Sequence, residues 1–348
     1  MVPGLGSGTG KFQLSVGWRQ ALANHSYIGS KYNEAFTDLW KPRMRLSIMD
    51  VSARYFVNRR FSIIGTLPIV FNRFSMLFPP KGTDKGIRDG WNVNGIGDLQ
   101  FISQYAMLEP RDHPYENCLL GLGMKIPTGN WTVQKWMPDL NGNDVIKRTV
   151  YPPAVMPGDG GVGIIGTLDT FKTFRGPKLL RGQTVFCSGS YLSNPRNTNG
   201  AASIISSAGV PLTPNFLNET TNSVADAWAV QAGMSFKIPG TWNHKNLKGL
   251  RPRVVYRWEG LRNHDIIGPA GGFRQPGYAM TIGPGLTYSR EKDTLLVDVP
   301  ITFDRFINAD RSLVPGPSNG AKPAALNLNR NLGMVAPVAF QVRYVRSF

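Results

Sequence analysis

The stretch VAFQVRYVRSF, residues 338–348, ends the chain in a regular alternation of apolar and polar residues. Counting back in twos from Phe348 gives a face that contains Tyr344, Val342 and Phe340 and is interrupted by Arg346. The other face contains the remaining polar side chains, namely Gln341, Arg343 and Ser347. Because side chains of a β-strand point alternately to opposite faces, this pattern predicts a terminal strand with one apolar face and one polar face.

The same alternation recurs along the chain. The composition, with 39 Gly, 26 Pro and 11% aromatic residues, is typical of a chain rich in turns and strands. The predicted fold class is therefore all-β. The alternation predicts about twelve strands, at 11–20, 44–57, 61–73, 96–107, 117–127, 160–173, 182–193, 224–238, 249–262, 277–289, 293–308 and 334–348.

The connections between these strands alternate in length. The short ones are 58–60, 108–116, 174–181, 239–248 and 290–292. The long ones are 20–43, 74–95, 128–159, 194–223, 263–276 and 309–333. This alternation is the layout of a closed antiparallel transmembrane β-barrel with short periplasmic turns and long extracellular loops. A soluble sandwich or propeller has no reason to alternate its loops in this way, and the sequence has no internal repeat of propeller length.

The barrel hypothesis gives one domain over residues 1–348, with 1–10 as a flexible N-terminal lead. It places the protein in the outer membrane of a Gram-negative bacterium. The first residues contain no apolar segment of a signal peptide, so we expect the signal to have been removed or to lie outside this numbering. The sequence also lacks the apolar window of about 18 residues that marks a transmembrane helix.

The net charge of +17 raises the alternative of a soluble, basic β protein that binds nucleic acid. The basic residues are dispersed, however, and form no run of five or six. We therefore expect no nucleic-acid partner. In a barrel these residues can lie in the lumen, in the loops, and at rims that face anionic lipid or lipopolysaccharide.

The sequence offers little for catalysis, so we expect no enzyme activity and no cofactor. His25, His113, His244 and His264 lie in loops or turns without metal-ligand spacing, and no nucleophile-elbow motif is present. Cys118 and Cys187 are interpreted as small apolar side chains. A weak calcium candidate lies in a long loop that has alternating oxygen ligands but lacks the EF-hand glutamate: Asp139, Asn141 and Asn143.

The strand phase predicts which charged side chains point into the lumen, because an Arg or Lys facing lipid at mid-membrane costs roughly 2–4 kcal/mol. The basic ones are Lys11, Arg19, Arg54, Lys125, Lys237, Arg251, Arg253, Arg257 and Arg343. The acidic ones are Asp50, Asp98, Asp169, Glu259, Asp298 and Asp304. One interpretation is a paired network that fills a narrow lumen. The other is a pore that favours small anionic solutes.

Four segments carry a resemblance to a known family: GIGDLQF (95–101), GLGMKIPTGN (121–130), SYLSNPRNTNG (190–200) and GGFRQPGYAMTIGPGLTYS (271–289). Together they resemble the outer-membrane barrels grouped as "MetA-pathway of phenol degradation", a transporter-like family. The resemblance implies a closed barrel and a channel for small, anionic or aromatic compounds. A non-conducting barrel that serves as a scaffold or as a partner subunit of an outer-membrane complex is the alternative.

Two further sets of residues enter with this interpretation. Arg196 and Arg274 lie at the bases of long loops, where we expect them either to anchor backbone carbonyls or a carboxylate, or to gate a substrate. The terminal strand resembles the assembly signal of outer-membrane barrels. That resemblance implies that the barrel assembly machinery reads its aromatic residues, Phe340, Tyr344 and Phe348.

Overall fold

The computed structural model describes residues 11–78, 87–138, 146–150, 152–203, 206, 219–238, 247, 249–307 and 332–348. The chain is almost entirely β. In chain order its elements are β1 (Phe12–Ala23), β2 (Ser26–Ile28), β3 (Lys31–Tyr32), α1 (Glu34–Trp40), β4 (Arg43–Phe56), β5 (Phe61–Phe78), β6 (Ile87–Ile96), β7 (Leu99–Ala106), β8 (Glu116–Ile126), β9 (Gln134–Pro138), β10 (Ile146–Val150), a 3-10 turn (Pro153–Val155), β11 (Gly163–Thr173), β12 (Thr184–Ser193), β13 (Thr198–Ala202), β14 (Thr221–Ser223), β15 (Ala227–Ser235), β16 (Leu250–Leu261), β17 (Gly277–Arg290), β18 (Asp293–Asp298), β19 (Ile301–Ile307), β20 (Leu332–Met334) and β21 (Val338–Ser347). No helix among these elements has the length and apolar character needed to cross a bilayer.

The main sheet closes on itself. Each strand pairs antiparallel with its neighbour, and β1 pairs with both β4 and β21, from Gln13 opposite Ser347 to Leu22 opposite Val338. The pairs β6–β7 and β18–β19 each act as one wall strand, interrupted at Gly97–Asp98 and at Val299–Pro300. The predicted closed antiparallel barrel of twelve strands is thereby confirmed. Closure joins the first wall strand of the described chain to the last, as a wall in lipid requires.

The outer face of the wall is apolar and the inner face is largely polar. Inward side chains such as Gln13, Ser62 and Gln104 are buried. This arrangement reverses that of a soluble protein and is the pattern of a wall that faces lipid. Large apolar side chains stand exposed on successive strands, among them Leu14, Val51, Ile63, Phe101, Leu122, Ile164, Val230, Val254, Ile282, Leu295 and Phe340.

The strand boundaries differ from the prediction mainly at the end of the barrel that carries the long loops. The stretch 74–95 was expected to be a loop, but its described residues, 74–78 and 87–95, continue the wall, because β5 runs to Phe78 and β6 begins at Ile87. The inward side chains of this extension, which include Phe74, Phe78 and Trp91, pack in an apolar cluster with Met76, Val93, Val155 and Met156. Burial of that cluster stabilises strand structure beyond the apolar belt.

The loop between β8 and β11 is tied to the same extension. The Asn72 side chain donates a hydrogen bond to the carbonyl of Val155 (3.2 Å) and accepts one from the Ser47 amide (3.0 Å). Val155 is fully buried, and Trp40 of α1 packs against its cluster. Long loops therefore fold over part of the barrel mouth.

Barrel closure predicts a specific cross-link. Gln13 and Ser347 are directly opposite on β1 and β21, and their side chains are hydrogen-bonded at 3.2 Å. The double variant Gln13→Cys/Ser347→Cys, in a background without Cys118 and Cys187, should form a disulfide on mild oxidation. Mass spectrometry of proteolytic fragments detects it.

The matched control pairs Gln13→Cys with Ser235→Cys on β15, which lies on another part of the wall. Equal yields of cross-link in the two double variants would contradict closure between β1 and β21.

Candidate functional site: the lumen

The interior of the barrel holds an apolar chamber toward the long-loop end. Its volume is about 880 Å³. Trp228 and Tyr278 also border it. Its apolar lining comes from inward positions on several wall strands, including Met44, Leu46, Ile102, Ile165, Leu192 and Leu261. A chamber of this size and lining suits a small molecule with an apolar body.

A second, polar cavity of about 360 Å³ lies toward the short-turn end. Its charged lining consists of four arginines and four carboxylates: Arg19, Arg253, Arg257, Arg343, Asp50, Asp169, Glu259 and Asp298. All of them were predicted from strand phase to face inward. The structure places these eight together, and the formal charges facing this cavity balance.

Seven polar residues border both cavities, among them Thr167 and Ser190. We call the five that have a charged or amide side chain the junction layer: Arg19, Arg257, Glu259, Gln341 and Arg343. Any solute that moves between the two cavities must therefore pass these side chains. Arg19 pairs with Asp50 at 3.2 Å between Nε and Oδ2. Arg257 donates a hydrogen bond to Gln341 and lies 3.7 Å from Asp298. These contacts fix part of the layer in place.

Below the junction layer, Asp298 forms a buried ion pair of the lumen wall. Its Oδ1 lies 3.0 Å from Arg253 Nε, and the two side chains are 8% and 5% exposed. Arg253 also lies over the Phe186 ring, 5.1 Å from its centroid. Because one carboxylate is shared by Arg253 and Arg257, this group acts as a brace between β16 and β18.

Two charged members of the junction layer lack an ion-pair partner within the described part of the chain. Arg343 and Glu259 are both exposed although they point into the barrel, so their exposure is to the lumen. Arg343 on β21 and Glu259 on β16 are free to interact with a solute. Strand phase located these two residues but gave no sign that they would remain unpaired.

Inward glycines make room for the charged side chains. Gly285 on β17 lies between Arg253 and Asp298, and a Cβ there would come within 2.1 Å of Asp298 Oδ1. Gly17 on β1 lies between Asp50 and Arg343, whose Nε would be 3.4 Å from such a Cβ. Because glycine has no side chain, these positions let side chains on the two neighbouring strands approach each other across the inner face.

The lumen narrows at the short-turn end. Arg54 donates a hydrogen bond to Ser62 (3.0 Å) and lies over the Phe56 ring. Gln104 donates to Asp169 (2.8 Å). Inward side chains at this level, including Asn117, Phe186, Ser235 and Thr287, are buried. This end is packed with side chains, in agreement with a narrow pathway.

Several residues predicted to face the lumen lie elsewhere. Lys11 and Lys237 are exposed at the short-turn end and border neither cavity. Arg251 points inward at the same rim, where it donates to the Gly182 carbonyl at 3.3 Å. Asp304 lies in the irregular pairing between β17 and β19 and accepts a hydrogen bond from Tyr278 (3.3 Å). These positions lie where the wall ends or its register shifts, so strand phase alone does not place them.

Lys125 and Asp98 face inward but brace a loop. The ammonium group of Lys125 pairs with Asp159 and lies 3.8 Å from Asp98. Asp98 in turn accepts hydrogen bonds from the amides of Gly129 (3.0 Å) and Asp159 (3.2 Å). The group holds both ends of the loop between β8 and β11, which covers Lys125.

The two loop-base arginines both donate hydrogen bonds to carbonyl or carboxylate groups of the protein itself. Arg196 donates to the carbonyls of Thr198 (2.8 Å) and Gly160 (2.7 Å). Arg274 forms a bidentate pair with Asp265, both contacts being 2.9 Å, and the two side chains are 2% and 0% exposed. These contacts anchor the loops; a gating role for either residue stays a prediction.

Asp226 is a central residue that sequence reasoning missed. Its fully buried carboxylate accepts hydrogen bonds from the Tyr191 hydroxyl (2.7 Å), the Asn194 amide (2.7 Å) and the Ile266 amide (2.8 Å). Its own amide donates to Asp265 (2.8 Å). The network joins the loops after β12 and β16. Because it holds Asp226 among these loops, β15 begins at Ala227 rather than at residue 224, where the sequence predicted the strand to begin.

The four motifs quoted from the sequence meet in pairs. Asp98 of the first motif binds Gly129 of the second. Asn197 of the third accepts a hydrogen bond from the Gly271 amide of the fourth. Each motif contains the end of a wall strand, so the motifs fix loop bases at the mouth of the lumen.

The remaining predicted residues lie outside the lumen. Phe340, Tyr344 and Phe348 are exposed on the outer face of β21 or just beyond it, and the Phe348 ring is 6.3 Å from that of Phe12. Arg346, which interrupts the apolar face, pairs with Asp293 at the short-turn rim at 3.6 Å. Asp139, Asn141 and Asn143 lie outside the described residues, as does His244. No metal-ligand cluster of three or more His, Cys, Asp or Glu occurs in the part of the chain that the structure describes.

The buried Arg274–Asp265 pair generates a prediction about loop stability. Arg274→Gln should lower the free energy of local opening of residues 262–276 by about 3–5 kcal/mol, because it leaves a buried carboxylate without its counter-charge. Hydrogen exchange of the loop amides measures this change. The control Arg262→Gln removes an exposed arginine from the same loop and should change it by less than about 1 kcal/mol. Equal protection in both variants would show that the pair is not an anchor.

Comparisons with known proteins support the fold but leave the family open. No family model matches the sequence, and no curated protein matches it. The chain is similar in structure to an outer membrane channel from Pseudomonas putida F1, with a TM-score of 0.58 and 12% identity, over 98% of this chain and 96% of that chain. More distant matches are the β domain of the Bordetella autotransporter BrkA (TM-score 0.45, 10% identity, 96% and 99% of the two chains) and the translocator domain of NalP from Neisseria meningitidis (0.44, 11%, 98% and 90%).

Proposed function

We propose that the protein is an outer-membrane channel for small compounds, and that its permeants are anionic or aromatic. The observation that carries the proposal is the lumen, in which an apolar chamber of about 880 Å³ leads to the junction layer. The outward apolar belt and the closed wall support a place in the outer membrane. The order and pairing of the four motifs support membership of the transporter-like family that the sequence resembles.

The two cavities suit the two parts of an aromatic or alkyl acid. The apolar chamber offers contact surface to a ring or short chain. Arg343, which is unpaired within the described chain, offers a charge-assisted hydrogen bond to a carboxylate or phenolate at the floor of that chamber. Glu259, on the same layer, would repel a second negative charge, so monoanions fit better than dianions.

Anion preference in this lumen depends on individual side chains rather than on excess charge. The arginines and carboxylates facing the polar cavity are equal in number, and Arg19, Arg253 and Arg257 are already paired. The counted surplus of nine basic residues over six acidic ones therefore overstates the positive field that a solute meets. Arg343 is the residue expected to set selectivity.

A non-conducting barrel that acts as a scaffold or partner subunit is the second candidate. The packed short-turn end favours it, since the inward side chains there include Arg54 and Gln104, which are hydrogen-bonded to other inward residues, and the buried Phe186. Planar-bilayer recordings separate the two candidates. A channel gives steady single-channel steps, whereas a plugged scaffold that is correctly folded stays silent.

The role of Arg343 predicts a change in ion selectivity. An anion that passes within about 4 Å of a guanidinium in water gains roughly 1 kcal/mol. Arg343→Gln should therefore lower the anion-to-cation permeability ratio by about fivefold, and Glu259→Gln should raise it. The measurement is the reversal potential in a salt gradient. Arg59→Gln, in the exposed β4–β5 turn, is the control, and an Arg343 variant that behaves like it would refute the assignment.

The route through the junction layer predicts a steric block. Ala229 on β15 borders both cavities, so Ala229→Trp should reduce single-channel conductance by more than half and slow benzoate entry into vesicles. Ala232→Trp places the same side chain on the outer face of the same strand and should leave conductance unchanged. Loss of conductance in both variants, or in neither, would argue against this pathway.

A further inference from the structure

Four arginines form a cluster on the outer face of the wall, above the apolar belt at the long-loop end. Arg43 and Arg45 lie on β4, Arg73 on β5 and Arg88 on β6. Arg45 is directly opposite Arg73, Arg43 is opposite Ser75, and Arg88 is opposite Leu77 on the next strand pair. The strand phase that turns Val51, Tyr55 and Phe71 outward also turns Arg43, Arg45 and Arg73 outward.

The cluster concentrates positive charge without a carboxylate. Side chains directly opposite on antiparallel strands have Cβ atoms about 5 Å apart, and like charges in such pairs are destabilising. Among the described residues none of the four arginines has an acidic group within ion-pair distance. Arg88 donates hydrogen bonds to the Ser75 hydroxyl (3.3 Å) and to the Lys41 carbonyl (3.0 Å). Its pKa is lowered, first by burial and then by the positive charges of Arg43 and Arg73. An anion from outside the chain would therefore stabilise these four guanidinium groups.

The surface next to the cluster is apolar and aromatic. Leu22 on β1 is directly opposite Arg45 and is 57% exposed. Trp18 and Phe71 contact each other with ring centroids 5.9 Å apart, and Phe71 lies two residues from Arg73 on the same face. A ligand that occupied both surfaces would carry an anionic head and an apolar body.

We propose that Arg43, Arg45, Arg73 and Arg88 form a binding site for a phosphorylated lipid of the surrounding bilayer. The phosphate groups lie among the guanidinium groups, which bind phosphate through paired charge-assisted hydrogen bonds. The acyl chains lie on Leu22, Trp18 and Phe71. Basic residues at the edge of the apolar belt thereby hold the barrel at a defined depth. The site faces away from the lumen, so the proposal does not require an open pore.

Native mass spectrometry of the detergent-solubilised full chain with diphosphoryl lipid A tests the proposal. The triple variant Arg43→Gln/Arg45→Gln/Arg73→Gln should bind this lipid about tenfold more weakly or worse. The matched control is Arg59→Gln/Arg111→Gln/Arg181→Gln, which removes three exposed arginines from the short turns and should bind like the unmodified protein. Heat-dependent gel migration checks that both variants are folded.

Single variants of Arg45 and competition by inorganic pyrophosphate test the site and its assignment to a lipid separately. The single variant Arg45→Gln, which alters one exposed side chain, should weaken binding by about threefold or more, and Arg45→Lys should restore part of it. Inorganic pyrophosphate should compete poorly, because it lacks acyl chains. Equal lipid binding by the two triple variants would overturn the site, and pyrophosphate binding as tight as that of the lipid would overturn its assignment to a lipid.

Discussion

The backbone hydrogen bonds of the wall are the constraint on which the rest of the structure depends. Lipid offers no partner for an amide or carbonyl, so every wall strand must pair on both sides and the sheet must close. β1 pairs with both β4 and β21 to meet this requirement. Once the ladder is complete, the side-chain period of two decides what faces lipid and what faces the lumen.

That division explains how a chain with a net charge of +17 can present an apolar belt. Inside the barrel, arginines meet carboxylates such as Asp50 and Asp298. Outside the belt, Arg346 pairs with Asp293 at one rim, while the cluster around Arg45 lies at the other. The energetic cost of a charge in lipid, roughly 2–4 kcal/mol at mid-membrane, accounts for the absence of basic side chains between these rims on the described lipid-facing strands.

The sequence carried enough information to predict the wall and the phase of its strands. Arg19, Arg253, Arg257 and Arg343 line the polar cavity because each alternates with lipid-facing residues in an uninterrupted strand. The prediction is weaker where periodicity ends. Lys125 has the expected phase, but a loop covers it, and Asp226 and Asp265 lie in loops without any periodic pattern. Contacts across the inner face, such as Arg253 with Asp298 over Gly285, depend on strand order and register together.

A channel function requires that the two cavities form a continuous pathway through the junction layer. Reaction of Ser190→Cys with a membrane-impermeant anionic thiol reagent tests it most directly, since Ser190 is exposed and borders both cavities. Cys118 and Cys187 must first be replaced by alanine. In reconstituted vesicles a continuous pathway predicts modification from either side of the membrane, faster with an anionic than with a cationic reagent. Modification from the long-loop side alone would contradict a continuous pathway and would show that the lumen is blocked.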